Sequence, residues 1–389
     1  MIMEKPFITE AEFLELGRTE ISTAKALKEA LHVFQPQVTL TDEGAKKLYR
    51  NIQLSLFATR IKDAEKGKKR EDDETIAGWL DKGFPTFRYG HAGNFLVPDP
   101  KDDFNWNRPW DDIEHPSEED RAQLHREYET LCNEGALSTP VMLIQINWSG
   151  IGWNNNAPFW YNILNHGGVD GEKDGVKCMA GRLPKIWHTI VDNGYEDTFR
   201  GAYVTDFYKP FSTPKSGTFE EAFKGATLGA YLHDDDAAKA KWNTNLDNSD
   251  YAVLRRFATL ESGDDFTGNI DPQLNLLTLL YMAMFVQLCE EAKMLHIEHP
   301  IMVPWGRIPQ SGLETSTAKA EGSETFPLPA ELPFLDGKSV EVAFADTFMQ
   351  HNSNGNGHMG GWLETEALST FSTIRDMKAD WKAEYGDKA

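Results

Sequence analysis

Cysteine is scarce in this 389-residue chain. Cys132, Cys178 and Cys289 cannot build a disulfide framework, a four-thiolate zinc site or a four-cysteine iron–sulfur cluster. They read as reduced thiols, and the expected compartment is the cytoplasm. Long apolar runs are also missing. The most apolar stretch, residues 274–289, is broken by Asn275, Thr278 and Gln287. A membrane span needs about 20 consecutive apolar residues, so this stretch reads as a helix buried on nearly all sides, and no membrane partner is expected. The opening residues MIMEKPFITEAEF hold no apolar core of the signal-peptide kind, so no leader is expected.

Positive charge is the third shortage. Lys plus Arg number 39 against 61 Asp plus Glu, a net charge of −22. Phosphate neutralisation supplies most non-specific affinity for nucleic acid, so a general polyanion binder is excluded. The remaining composition, 40% hydrophobic and 26% charged, is that of a folded globular chain. No G-x-S-x-G elbow, P-loop or H-E-x-x-H is present. Ser149 and Ser353 therefore lack the setting of a serine nucleophile. His351 and His358, near Asp346, do not have the spacing of a zinc site. No metal and no cofactor is expected.

Regular structure can be read from periodicity. Thr9 and Glu12 form a capping-box pattern, and Phe13, Leu16, Ile21, Ala24, Leu27, Leu31 and Phe34 recur at helical spacing. A helix is expected over 42–62, with Leu48, Ile52 and Leu56 inward. The run KGKKREDDE at 66–74 reads as a charged turn or linker. Residues 83–116 are rich in Gly, Pro, Asp and aromatics, which suggests ordered loop with an edge strand, and a further helix is expected over 117–134. Four apolar strands are then expected, at 141–147, 202–207, 301–303 and 340–348, with helices between them and an amphipathic helix at 362–385. Alternation of this kind predicts an α/β fold: a three-layer, mainly parallel sheet with helices on both faces, plus a helical N-terminal region. The expected division is 1–85 for the helical region and 86–389 for the α/β domain, with loop insertions and a C-terminal helix. In such sheets ligands sit outside the carboxyl ends of the strands, here the loops starting near Asn147 and His351.

The runs VMLIQINWSG, PFWYNILNHGG, GAYVTDFYKP, EEAKMLHIEHPIMVPWGR and FMQHNSNG follow one another in that order over about residues 138–360. In motif order and spacing this resembles the uracil-DNA glycosylase superfamily. The resemblance implies that Gln145, Asn147, Trp148 and Ser149 overlie the family's first motif, with Asn147 in the water-positioning place. It sets Phe159 near the aromatic helix start, Thr205 and Asp206 over the family's Thr-Asn, and His351, Asn352 and Ser353 over its His-Pro-Ser. Gln145 stands where the family has Gly, Trp148 and Asn352 where it has Pro, and Asp206 where it has Asn.

The activity implied is excision of a uracil-like or modified base from DNA. Breaking an N-glycosidic bond builds an oxocarbenium-like sugar and a departing base anion. It needs a donor for the base, a positioned water and a pocket for the unstacked base. His351 can donate to the base. The Asn147 carbonyl oxygen can hold the water. Gln145, Trp148, Ser149, Phe159, Thr205, Asp206 and Ser353 are the expected substrate contacts, Trp148 and Phe159 by stacking. Lys177, Arg182 and Lys185 sit in a stretch without acidic residues and would face phosphates. DNA, single-stranded or modified, is the expected partner, bound weakly and in a salt-sensitive way. Two alternatives stay open: an inactive glycosylase-fold protein that binds a protein partner, and a nucleoside- or nucleotide-binding protein.

Overall fold

A computed structural model of the chain describes residues 6–65, 88–96, 117–133, 135–145, 189–209, 222–232, 258–304, 343–344 and 359–386, with Phe219, Gly312, Leu313 and Ser316 as single positions. The fold is mixed α/β. Helix α1 spans Glu10–Arg18, α2 Thr23–Phe34, α3 Asp42–Glu65, α4 Tyr89–Ala92 and α5 Glu118–Asn133. Further on, α6 spans Glu196–Phe199, α7 Gly229–Leu232, α8 Leu276–Met294 and α9 Met359–Tyr385. The strands are β1 (Thr39–Leu40), β2 (Gly93–Phe95), β3 (Val141–Gln145), β4 (Tyr203–Asp206), β5 (Phe266–Thr267), β6 (Ile301–Pro304) and β7 (Ala343–Phe344).

Local chemistry accounts for the helix starts. The Thr9 hydroxyl accepts from the Glu12 amide at 3.3 Å while the Thr9 amide donates to the Glu12 carboxylate at 2.7 Å, a closed capping box. The apolar periodicity beyond it is split between two helices. α1 stops at Arg18, Glu20 bridges to Arg88, and Ser22 caps α2 by accepting from the Lys25 amide. Asn275 does the same for α8 through the Thr278 amide. α8 buries residues all round its axis, as its predominantly apolar sequence requires. Among the described residues, no helix is long and apolar enough to cross a membrane.

β1 and β5 form a separate antiparallel pair. The other five strands form one sheet in the order β2-β4-β3-β6-β7. β4, β3, β6 and β7 are parallel, and β2 adds antiparallel to the β4 edge. The expected edge strand within 83–116 is therefore β2, and the four expected strands all contribute to the one sheet. The parallel strands β3, β4 and β6 are buried at every position because both their faces are covered. Met142, Ile144, Tyr203 and Met302 join a core with Phe13, Leu27, Leu48 and the α8 residues Leu279 and Phe285. Val141, Leu143, Val204, Ile301 and Val303 pack instead with Phe199 and with Phe371 and Ile374 of α9. Full burial of a side chain such as Phe371 contributes about 1.5–3 kcal/mol.

The chain passes from β3 to β4 on one side and only later to β6 on the other. This reversal makes the β3–β6 boundary a topological switch point, the place at which open α/β sheets generally bind ligands. Parallel pairing sends Gln145, Asp206, Pro304 and Phe344 out on the same edge of the sheet.

Candidate functional site at the carboxyl edge of the sheet

Gln145 and Asp206 are register partners at the ends of β3 and β4, and both are buried. The two strands stay joined one residue further, where the Phe207 amide donates to the Gln145 carbonyl at 2.9 Å. Residues 207–209 then turn, and Phe207, Tyr208 and Lys209 are all fully buried. Gly312 presses on the Phe207 ring so closely that a Cβ there would lie 2.3 Å from it. A side chain at 312 would displace the turn.

Beneath this turn lies a buried polar cluster. The Lys209 ammonium sits 2.7 Å from a Glu291 carboxylate oxygen, and both side chains are 0% exposed. The second Glu291 oxygen accepts from the Tyr203 and Thr205 hydroxyls, each at 3.0 Å. Strand alternation explains the pairing of donors. Tyr203 and Thr205 are two apart, so they point to the same face, toward α8. Glu291 sits in the last turn and a half of that helix and reaches back to them. Its neighbour Glu290 faces Lys25 of α2 and accepts from the Tyr89 hydroxyl at 3.4 Å.

Burial dominates the electrostatics. Loss of solvation pushes Lys209 below the ordinary lysine range, against the pull of Glu291 and Asp206. It pushes Glu291 upward, against Lys209, Thr205 and Tyr203. The Tyr203 phenol is driven well above its ordinary value by burial and by the Glu291 charge. The Tyr89 phenol follows, through burial, Glu290 and Glu291. Burial likewise raises the Cys289 thiol, which is an inert packing group. An ion pair satisfied by two further hydroxyl donors is a geometry in which buried charge can persist.

Of the residues expected in the site, three lie in the described structure. Gln145, Thr205 and Asp206 come together on the β3–β4 edge. The Thr205 hydroxyl is turned inward to Glu291. Asn147, Trp148, Ser149, Phe159, Lys177, Arg182, Lys185, His351 and Ser353 lie outside the described residues, as do Asn352 and His358. Sequence reasoning passed over Tyr203, Lys209 and Glu291. A signal was present: Tyr203, Thr205 and Lys209 belong to the same AYVTDFYKP run, and Glu291 is an acid at the end of an otherwise apolar helix. The pairing of the two segments is what needs three dimensions.

No family model, no curated protein and no solved structure matches the chain.

Proposed function

We propose that the chain hydrolyses the N-glycosidic bond of a uracil-like or modified base in DNA. One observation supports this reading: the strands within the resembling motifs lie in one sheet that reverses order between β3 and β6, and the parallel β3–β4 pair sends Gln145 and Asp206 out side by side. In this reading the sheet is the middle of a three-layer α/β/α unit and the carboxyl edge is the base pocket. His351 donates to the leaving base and Asn147 holds the water. Trp148 and Phe159 stack on the base, with Gln145, Ser149, Asp206 and Ser353 around it, while the Thr205 hydroxyl stays on Glu291. Base–aromatic stacking contributes about 1–3 kcal/mol. Lys177, Arg182 and Lys185 face phosphates. No metal or cofactor is required.

The test is a panel of single- and double-stranded oligonucleotides carrying uracil or modified bases, scored for abasic sites in single-turnover reactions. His351→Ala and Asn147→Ala should each lower the rate about 10²–10³-fold while leaving binding nearly unchanged, because both act on the transition state. A reaction indifferent to both residues refutes these roles.

The net charge of −22 favours a second reading, a non-catalytic member of this architecture that takes a nucleoside, a nucleotide or a protein partner. Salt separates the two. Three phosphate contacts on single-stranded DNA give a log–log slope of about −2, whereas binding of an uncharged nucleoside has a slope near zero.

A further inference from the structure

We infer that Glu291 is a positioning residue for this edge: from the end of α8 it holds β4 and its exit turn through three side chains, and so keeps the turn latched on the carboxyl end of β3. The inference rests on this edge being the proposed site, and on no particular reaction there. One fully buried carboxylate meets residues 203, 205 and 209 at once. The Tyr203 and Thr205 hydroxyls donate to one of its oxygens from within β4, each at 3.0 Å. The Lys209 ammonium closes on the other oxygen at 2.7 Å from the far end of the turn, and Thr205 reaches that oxygen too, at 3.3 Å. Between these anchors the chain turns through Phe207 and Tyr208. The Phe207 amide donates to the Gln145 carbonyl at 2.9 Å, which carries the β3–β4 contact one residue past the strands. On the other side the anchor is firm, since α8 is a 19-residue helix capped by Asn275 and buried all round.

Stability alone does not call for this arrangement. Apolar residues of similar volume are often as stabilising as a buried ion pair. What the polar set adds is direction. Dispersion tolerates small shifts of a side chain, whereas a satisfied buried network fixes distance and angle and so specifies one arrangement. Here the arrangement specified is the backbone where β4 leaves the sheet, beside the end of β3.

The variant to make is Lys209→Met with Glu291→Gln. It unties the turn from α8, leaves no buried charge without a partner, and keeps a carbonyl acceptor for Tyr203 and Thr205. The readout is hydrogen exchange of the Phe207 amide by NMR, compared with the ladder amides of β3 and β4. In the folded double variant the Phe207 amide should exchange about 10-fold faster or more relative to the ladder, the weight of one charge-assisted hydrogen bond. A pair that served only global stability would move the urea midpoint and all these amides together. A Phe207 amide that keeps pace with the ladder in the folded variant overturns the inference. Should that variant not fold, Thr205→Val decides. It is close in shape, keeps the ion pair and takes one donor from Glu291, so Phe207 should still outpace the ladder, by about 3-fold, a smaller share of the same hydrogen-bond range. Equal pace overturns the inference there too. A wild-type protein that releases no base from any oligonucleotide sinks the glycosylase reading, and exchange at Phe207 still decides this one. In an active protein the double variant should lose about 10-fold or more in single-turnover rate with oligonucleotide binding nearly unchanged, because a slight misplacement costs rate before it costs affinity. A full rate overturns the positioning role.

Discussion

Gly93 is the residue on which the buried cluster depends most directly. It pairs antiparallel with Thr205 at the edge of the sheet, and the Tyr203 ring crosses over it. A Cβ at 93 would lie 2.2 Å from the Tyr203 hydroxyl and 2.7 Å from the ring carbon that bears it. Both distances are far inside contact, so Gly93→Ala must move the ring. Movement removes the 3.0 Å hydrogen bond that the Tyr203 hydroxyl gives to Glu291. Overpacking of a tight interior costs about 1–3 kcal/mol. A hydrogen bond to a charged group is worth about 1.5–3 kcal/mol. The substitution should therefore destabilise by about 2.5–6 kcal/mol, a large share of the 5–15 kcal/mol typical of folded domains. Urea unfolding followed by near-ultraviolet circular dichroism measures this, since the tyrosine environment changes with the fold. Tyr203→Phe breaks the same bond without the clash. The two substitutions combined should cost less than the sum of their separate effects, because one hydrogen bond cannot be lost twice. A Gly93→Ala protein with the wild-type urea midpoint, or strict additivity with Tyr203→Phe, refutes the reasoning.

Other consequences can be measured separately. Asn51 is fully buried, donates to the Tyr231 and Ala258 carbonyls at 2.9 and 2.8 Å, and accepts from the Ala258 amide at 2.9 Å. Asn51→Asp keeps the shape but sets a carboxylate against two carbonyls, so the urea midpoint should show a loss of about 3–5 kcal/mol. Burial works to raise the Asp265 carboxyl, but Lys47 at 2.8 Å and the Glu261 amide outweigh it and hold it below its ordinary value. Its contribution is present above the ordinary aspartate range and is lost as pH falls through the lower folded value. Asp265→Asn should be less stable than wild type at pH 7, and the two should converge in strong acid. The partner effect on Lys47, raised chiefly by its hydrogen bond to Asp265, is lost only as pH rises through its elevated value. His125 is raised above its ordinary 6.5 by its hydrogen bond to Glu10 and then by the charges of Glu10 and Glu129. Its NMR midpoint should drop in Glu10→Gln, and any stabilisation it gives is complete below 6.5 and fades as pH climbs through the folded value.

Much of the fold was legible because its cues are local. The Thr9–Glu12 box starts α1 as expected. VMLIQ, YVTD and IMVP read as strands because they are short, apolar and bounded by turn residues, and they pair as β3, β4 and β6. The amphipathic tail forms α9. What periodicity could not give was the break at Thr19–Ser22, where the apolar stripe continues but the helix does not. A second cap at Ser22 and the bridge from Glu20 to Arg88 interrupt it, and the bridge is a long-range contact. The site divides along the same line. Gln145, Thr205 and Asp206 could be named from the motif order of the resemblance, and the structure brings them together on neighbouring strands. Glu291 could not, because an acid at the end of an apolar helix reads as a solvated cap until α8 is laid against β4.

The position of the polar cluster is informative beyond its own energetics. Cores are built of apolar residues wherever shape allows, and local rules tend to be broken where function requires it. Tyr203, Thr205, Lys209 and Glu291 break them together, in a core otherwise filled by Met142, Ile144, Leu279 and Phe285. The cluster runs along β4 from Tyr203, its first residue, to Lys209 just past its carboxyl end, whereas Val141, Ile301 and Ala202 pack as plain hydrocarbon. In open α/β sheets ligands sit outside the carboxyl ends of the strands, which is the end at which Thr205 and Lys209 lie. The acidic surface then acts on what can reach the edge. With a net charge of −22, long polyanions are repelled before contact, while a neutral base or nucleoside is not. An extruded base on a weakly held strand and a free nucleoside both satisfy that filter, and tight sequence-independent binding of duplex DNA does not.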